Sequence, residues 1–206
     1  MSGLFVTFEG IDGCGKSTQV TEARRLIEQK GIPCLVTREP GGTAISEAIR
    51  RILLSPDNIK MCDPCEVLLY CAARAQHCHE TIGPALARGE VVLCDRFQEA
   101  TFAYQGFGRG FSLDQLRQMN EFATDGIAPA LTFIFDIDVD TSIARLKKAD
   151  RLPDRLESSG RDFYEKVRQG YLTLASRTPD RIIVLSGTAP VEQLAQTVFQ
   201  KITGML

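Results

Sequence analysis

The chain has no excess of charge of either sign: Lys and Arg number 24 against 26 Asp and Glu, a formal net charge of −2 over 206 residues. No basic field covers the surface, so nucleic acid and anionic membranes are not held by net charge, and any polyanion must be met locally. No apolar run approaches the roughly 18 residues that a spanning helix needs. The opening Met1 to Glu9 lacks a charged segment followed by an apolar one. The expectation is a cytoplasmic protein with no nucleic acid and no membrane among its partners. Internal repeats, low-complexity blocks and Ser/Gly/Pro-rich linkers are missing too, which leaves residues 1–206 as one domain. A disulfide framework is not expected: the cysteines number 7, an odd count, and Cys34, Cys71 and Cys94 fall in apolar stretches where a thiol acts as a small hydrophobe.

What is present is an ordinary globular composition, 44% hydrophobic and 24% charged, enough to bury a core without staples. Short apolar runs recur at Leu4 to Phe8, Cys34 to Thr37, Val91 to Cys94, Leu131 to Phe135 and Ile182 to Leu185. Each reads as a strand buried on both faces. Helical patterns lie between them, at Lys16 to Lys30, Ile45 to Leu54 and Glu66 to Arg88, the last expected to break near Gly83-Pro84. Others follow at Ser112 to Ala123, Thr141 to Lys148, Arg161 to Ser176 and Val191 to Ile202. Alternation of this kind predicts an α/β fold, a five-stranded, mostly parallel sheet with helices on both faces. Its site belongs at the carboxyl ends of the strands. Cys62-Asp-Pro-Cys65, with His77, Cys78 and His79 further on, raises zinc. Asp63-Pro64, however, reads as a helix start, and adjacent side chains of a His-Cys-His run on one helix diverge, so a zinc centre is not expected.

At the end of the first strand stands Gly10-Ile11-Asp12-Gly13-Cys14-Gly15-Lys16-Ser17, followed by Thr18, a full GxxxxGK[ST] match between a strand and a helix. Its glycines let backbone N–H groups turn inward around phosphates, with the positive end of the helix dipole behind them. Lys16 adds a point charge for the β and γ phosphates, and the Ser17 hydroxyl is a ligand for Mg²⁺. The donor is therefore a nucleoside triphosphate. After the third strand neither a guanine-reading NKxD or TKxD nor a DxxG occurs, and Asp95 is followed by Arg96 where a motor ATPase favours Glu. Asp95 suits Mg²⁺, and Arg96 attracts a second anion, which fits a phosphorylated acceptor better than water.

The acceptor side is sketched by three segments. Thr37-Arg38-Glu39-Pro40-Gly41-Gly42-Thr43 follows the second strand, Tyr70 and Arg74 stand four apart on one helical face, and Ala103 to Gly110 follows the Asp-Arg pair closely. With these on the page the chain resembles the bacterial type of thymidylate kinase, nearly from end to end. The likeness rests on Phe8-Glu9-Gly10 with the phosphate loop, Thr37 to Thr43 with Glu47 and Arg50, and Arg74-Ala-Gln-His77. Asp95-Arg96-Phe97, Ala103 to Gly110 and Asp154-Arg155-x-Glu157 complete it. It implies a three-layer P-loop NTPase fold with a short lid, transfer of the γ-phosphoryl group of ATP to dTMP with Mg²⁺, and a homodimer.

By position, the resemblance assigns Arg38 and Arg96 to the dTMP phosphate and Asp12 to the neighbourhood of the sugar 3′-OH. Tyr70 would stack on thymine, Arg74 reach O4, and Thr101 approach N3. Tyr104 would crowd the 2′ position, with Gln105 beside it. Ala100, Ala44 and Ser46 depart from the family pattern. The charged segment 147–160 reads as the lid. Because no basic residue precedes Lys16 in the phosphate loop, Arg151 and Arg155 are the expected catalytic cations beside Lys16 and Arg96, Arg151 being the freer of the two.

Overall fold

A computed structural model of the chain describes residues 3–148, 154–156 and 159–206. Strands β1 (Leu4–Glu9), β2 (Cys34–Arg38), β3 (Val91–Asp95), β4 (Leu131–Asp136) and β5 (Ile182–Ser186) form one sheet in the order β2-β3-β1-β4-β5. Its four pairings are all parallel. Each apolar run falls on a strand, but every strand extends one residue further, into Glu9, Arg38, Asp95, Asp136 or Ser186. A ladder hydrogen bond does not depend on the side chain, so pairing continues into a polar residue at the rim, even where, as at Glu9, that residue is buried. Those five polar residues mark the carboxyl edge.

Burial explains the hydrophobic runs. Val6, Phe8 and Leu93 pack with Val20, Ala23 and Ile27 of α1 (Lys16–Glu28) and with Val198 and Ile202 of α9 (Val191–Thr203). Phe5, Val92 and Cys94 project to the opposite face, against Cys78, Ile82 and Ala85. Phe8 lies between Phe133 and Phe135, ring centroids 5.8 and 6.1 Å away. Removing each such side chain from water is worth about 1.5–3 kcal/mol, and together they fix the level at which β1 delivers its polar end.

Two stretches differ from the sequence pattern. The chain does not break at Gly83-Pro84: α3 (Asp63–His77) passes through a π-helical turn, Cys78–Ile82, into α4 (Gly83–Ala87). Gly83 N–H bonds Cys78 O, five residues back, and that wider turn accommodates the proline ring. The glycine-rich segment after β3 is helical as well, α5 (Gln98–Thr101) running into a π-helical stretch, Phe102–Gly108. Here glycine serves close packing. A Cβ on Gly106 would stand 2.6 Å from Leu113, and one on Gly108 2.6 Å from Phe163 of α8 (Arg161–Arg177). The remaining helices, α2 (Ala44–Leu54), α6 (Leu113–Thr124) and α7 (Val139–Lys148), stand within a residue or two of their sequence patterns. Ser46, one of the departures, ties α2 to α3 by donating to Ala73 O at 2.8 Å.

Candidate active site

The phosphate loop leaves β1 through Gly10, Gly13 and Gly15, with φ of 131°, 76° and 99°, values that L side chains rarely adopt. These reversals point the loop back over the start of α1. Ile11 and Cys14 are buried behind it. Lys16 is 6% exposed, its Nζ donating to Gly10 O and Ile11 O, both at 3.0 Å. Ser17 Oγ donates to Asp95 Oδ2 at 2.8 Å, so a hydroxyl from the first turn of α1 and a carboxylate from the end of β3 meet at the rim. The loop borders a cavity of about 440 Å³, into which Gly13, Ser17 and Thr18 face together with Arg38, Asp95 and Arg96.

Against the phosphate loop, lining the same cavity, stands Arg96. Its backbone is left-handed, φ 71°, which is uncommon for a residue other than glycine and turns the side chain back across the end of β1. Nη1 donates to Gly10 O at 3.0 Å and to Tyr171 OH at 3.1 Å. Nη2 donates to Asp12 Oδ1 at 2.7 Å and to Tyr104 OH at 3.1 Å. The guanidinium also lies 5.0 Å over the Tyr104 ring. Asp12 Oδ2 accepts from Tyr104 OH and Tyr164 OH, both at 3.2 Å. Burial alone would raise the Asp12 pKa, but the Arg96 and Lys16 charges hold its carboxyl well below the usual range. Glu9 has the opposite balance: full burial and the nearby Glu99 push it up to about 8, against Arg96, Phe97 N–H at 2.7 Å and Tyr171 OH at 2.8 Å.

Beside this cluster lies a second buried ionic network. Arg74 is 1% exposed and donates through Nε to Glu39 Oε2 at 2.8 Å, through Nη1 to Thr101 Oγ1 at 2.9 Å and to Asn120 Oδ1, and through Nη2 to Phe97 O at 3.0 Å. Of the five donors a guanidinium carries, one N–H of Nη2 is left over among the described residues, at the cavity wall. His77 extends the network, with Nδ1 3.2 Å from Glu39 and Nε2 2.7 Å from Thr37 Oγ1. Gly42 (φ 85°) rests on it, since a Cβ there would stand 2.5 Å from His77. Tyr70, Thr101, Tyr104 and Gln105 border the same cavity, as does Ala100. Arg38 is half in solvent and paired with Glu47 at 2.8 Å.

The lid expectation divides. Arg151 and Glu157 lie outside the described residues. Arg155 is buried, 6% exposed, with its Nη2 2.6 Å from Glu66 Oε2 and its Nε donating to Leu53 O at 2.8 Å. Glu66 also receives Gln105 Nε2 at 2.8 Å and Arg109 Nη2 at 3.2 Å, so Arg155 joins a shared buried network. Zinc is not assembled among the described residues; His77 and Cys78 stand at the opposite end of α3 from Cys62 and Cys65. Sequence reasoning passed over Glu66, Asn120, Tyr164 and Tyr171. The two tyrosines stand seven apart, on one face of α8, a spacing that reads as core until their hydroxyls are seen to reach Asp12 and Glu9.

Comparison with known proteins gives the same picture. The sequence model of the thymidylate kinase family matches residues 8–198. The thymidylate kinase of an Exiguobacterium species is 46% identical over 198 residues, 96% of this chain and 93% of that protein. The Pseudomonas putida enzyme is 44% identical over 206 residues, 100% of this chain and 98% of its own. Among solved structures, thymidylate kinase from Ehrlichia chaffeensis superposes with a TM-score of 0.80 at 31% identity, covering 98% of this chain and 100% of that one. With a phosphate loop, an anchored arginine fork and relatives alike over their full length, the chain belongs to the thymidylate kinase family.

Proposed function

We infer that the chain phosphorylates dTMP to dTDP with ATP as donor. The observation that carries this is Arg96, whose fork is fixed by Asp12, Tyr104 and Tyr171 beside Lys16, both cations donating to Gly10 O at 3.0 Å and both lining one cavity. Two fixed cations facing one space suit two phosphorylated partners, and phosphoryl transfer consists largely of holding them in line. Lys16 and the loop N–H groups receive the β and γ phosphates, while Arg96 and Arg38 receive the phosphate of dTMP. Arg38 must exchange Glu47 for it, which its exposure permits. Tyr70 stacks on the base, and Thr101 and the remaining N–H of Arg74 supply one hydrogen bond each. Tyr104, 4% exposed and wedged between Arg96 and Asp12, cannot withdraw to admit a 2′-OH, so it selects deoxyribose.

Ser17 and Asp95 are hard oxygen donors at a solvent-facing rim, 2.8 Å apart, and so fit Mg²⁺. When bound, Mg²⁺ offsets negative charge on the β and γ oxygens. Arg151 is assigned the transition-state cation. No general base is needed, because alignment by Arg96 suffices once the lid excludes water. The working unit is a homodimer in the cytoplasm. Ile45, Ile52, Leu68 and Phe122 of the neighbouring helices α2, α3 and α6 are exposed, Phe122 by 92%, an apolar surface suited to a second copy.

Incubation with ATP, Mg²⁺ and dTMP, dUMP, dCMP or AMP in turn, followed by chromatography, tests the reading. It predicts dTDP and ADP in equal amounts, dTMP strongly preferred, and a loss of about a hundredfold or more in kcat for a folded Lys16→Ala variant. ADP release without acceptor phosphorylation would reduce the chain to an ATPase. Sedimentation equilibrium should return the mass of two chains; a single-chain mass at micromolar concentration removes the dimer. Glu9 makes a third prediction. Its folded pKa, about 8, exceeds the ordinary 4.5, so the native state keeps a proton that the unfolded chain releases. Stability from this group is complete below pH 4.5 and is lost as pH rises toward 8, on the order of 1 kcal/mol per pH unit. Glu9→Gln, neutral throughout, should flatten the decline in urea midpoint from about pH 6 to about pH 8, a range inside the window between 4.5 and about 8. An equal slope in both proteins would show Glu9 ionised in the fold.

A further inference from the structure

The 7 cysteines divide sharply by environment. Cys14, Cys71, Cys78 and Cys94 are buried and Cys34 is half-buried; Cys62 and Cys65 are exposed. Burial pushes the thiols of Cys34 and Cys78 up to about 12 and also raises those of Cys71 and Cys94, which keeps them unreactive. The two thiols open to reagents are thus the two that stand three residues apart.

Their placement suits a disulfide. Cys62 caps α3 with extended backbone (φ −74°, ψ 151°), its carbonyl accepts from Glu66 N at 3.1 Å, and its side chain makes no capping hydrogen bond. From that position a side chain is directed toward the N–H groups of the second and third helical residues. The second is Pro64, which has no N–H, and the third is Cys65. Cα atoms one helical turn apart fall inside the roughly 4.4–6.8 Å that a disulfide spans. Proline between the cysteines of a C-x-x-C pair stiffens the turn and lowers the entropy of closing it.

The same turn holds the lid anchor. Asp63 lies 3.5 Å from Arg109, and Glu66, next to Cys65, binds Arg155, Gln105 and Arg109. A disulfide fixes the Cβ atoms about 3.8 Å apart with a set torsion. Closing the bond therefore constrains the turn that carries Asp63 and Glu66, and small displacements at a catalytic support are costly.

We propose that Cys62 and Cys65 form a redox-active dithiol that takes a low-molecular-weight disulfide as oxidant and, on closing, slows phosphoryl transfer through Glu66. One thiolate attacks a sulfur of the disulfide and expels one thiol; the second thiolate then attacks the mixed disulfide and expels the other. The protein gives up two electrons and two protons, and the oxidant leaves as two thiols. The effect on rate rests on the lid reading above, whereas the disulfide does not.

The test equilibrates the native protein with mixtures of reduced and oxidised glutathione and reads intact mass and kcat together. Oxidation should lower the mass by roughly 2 Da per chain and kcat by about tenfold, with dTMP KM nearly unchanged and both effects reversed by dithiothreitol. Cys62→Ser and Cys65→Ser, both at exposed positions outside the site, should keep the untreated kcat and never show the 2 Da loss (roughly two hydrogens). A wild type that stays reduced, that links two chains, or that closes with kcat unchanged overturns the proposal. Absence of dTMP phosphorylation in the untreated protein would instead sink the functional reading, leaving the mass result to stand by itself.

Discussion

The Asp12–Arg96 ion pair, 2.7 Å from Oδ1 to Nη2, is the interaction on which the site depends. It joins the phosphate loop at the end of β1 to the end of β3 and recruits Tyr104, Tyr164 and Tyr171 from two helices. Neither partner is free to relax. Asp12 sits on a loop shaped by glycines at positive φ, and Arg96 is itself left-handed, a conformation that costs about a kcal/mol or more and persists where surroundings over-determine it. Each surrounding contact therefore does two jobs, satisfying a buried polar group and aiming a cation into the cavity. Such preorganisation removes reorganisation from the reaction, because the charge is in place before substrate arrives.

Around that pair the protein keeps its charges in closed circuits. Glu39, Arg74 and His77 form one, and Glu66 with Arg155 and Arg109 another, each buried where an unpaired member would cost several kcal/mol. The exposed arginine at the cavity, Arg38, has a carboxylate partner that substrate can displace. Specificity follows from this division. On the proposed reading, base and sugar would meet rigid groups, Thr101, Arg74 and Tyr104, and phosphate one fixed and one adjustable cation, all of which line the cavity.

Much of this was legible in the sequence because the fold is built on period and run length. Five apolar runs gave five strands, and the phosphate loop could be placed from its glycines, lysine and flanking elements. What escaped had a physical reason. Strand ends were set one residue short because polarity, not pairing, ended each apolar run. Gln98 to Gly108 was not read as helix because glycine usually marks a turn, whereas Gly106 and Gly108 allow Leu113 and Phe163 to approach. Arg155 sits in a charged loop and reads as the less free of the two lid arginines, but its partner Glu66 lies far earlier in the chain. Partners far apart in sequence leave no local signal.

A double-mutant cycle on kcat/KM for dTMP, using Asp12→Asn and Arg96→Lys singly and together, tests most directly whether the ion pair works as one unit. If Asp12 acts by aiming Arg96, the second substitution should cost little once the first is made, with a coupling energy above about 1 kcal/mol. Additive losses would contradict the account, showing that the two residues serve the reaction independently.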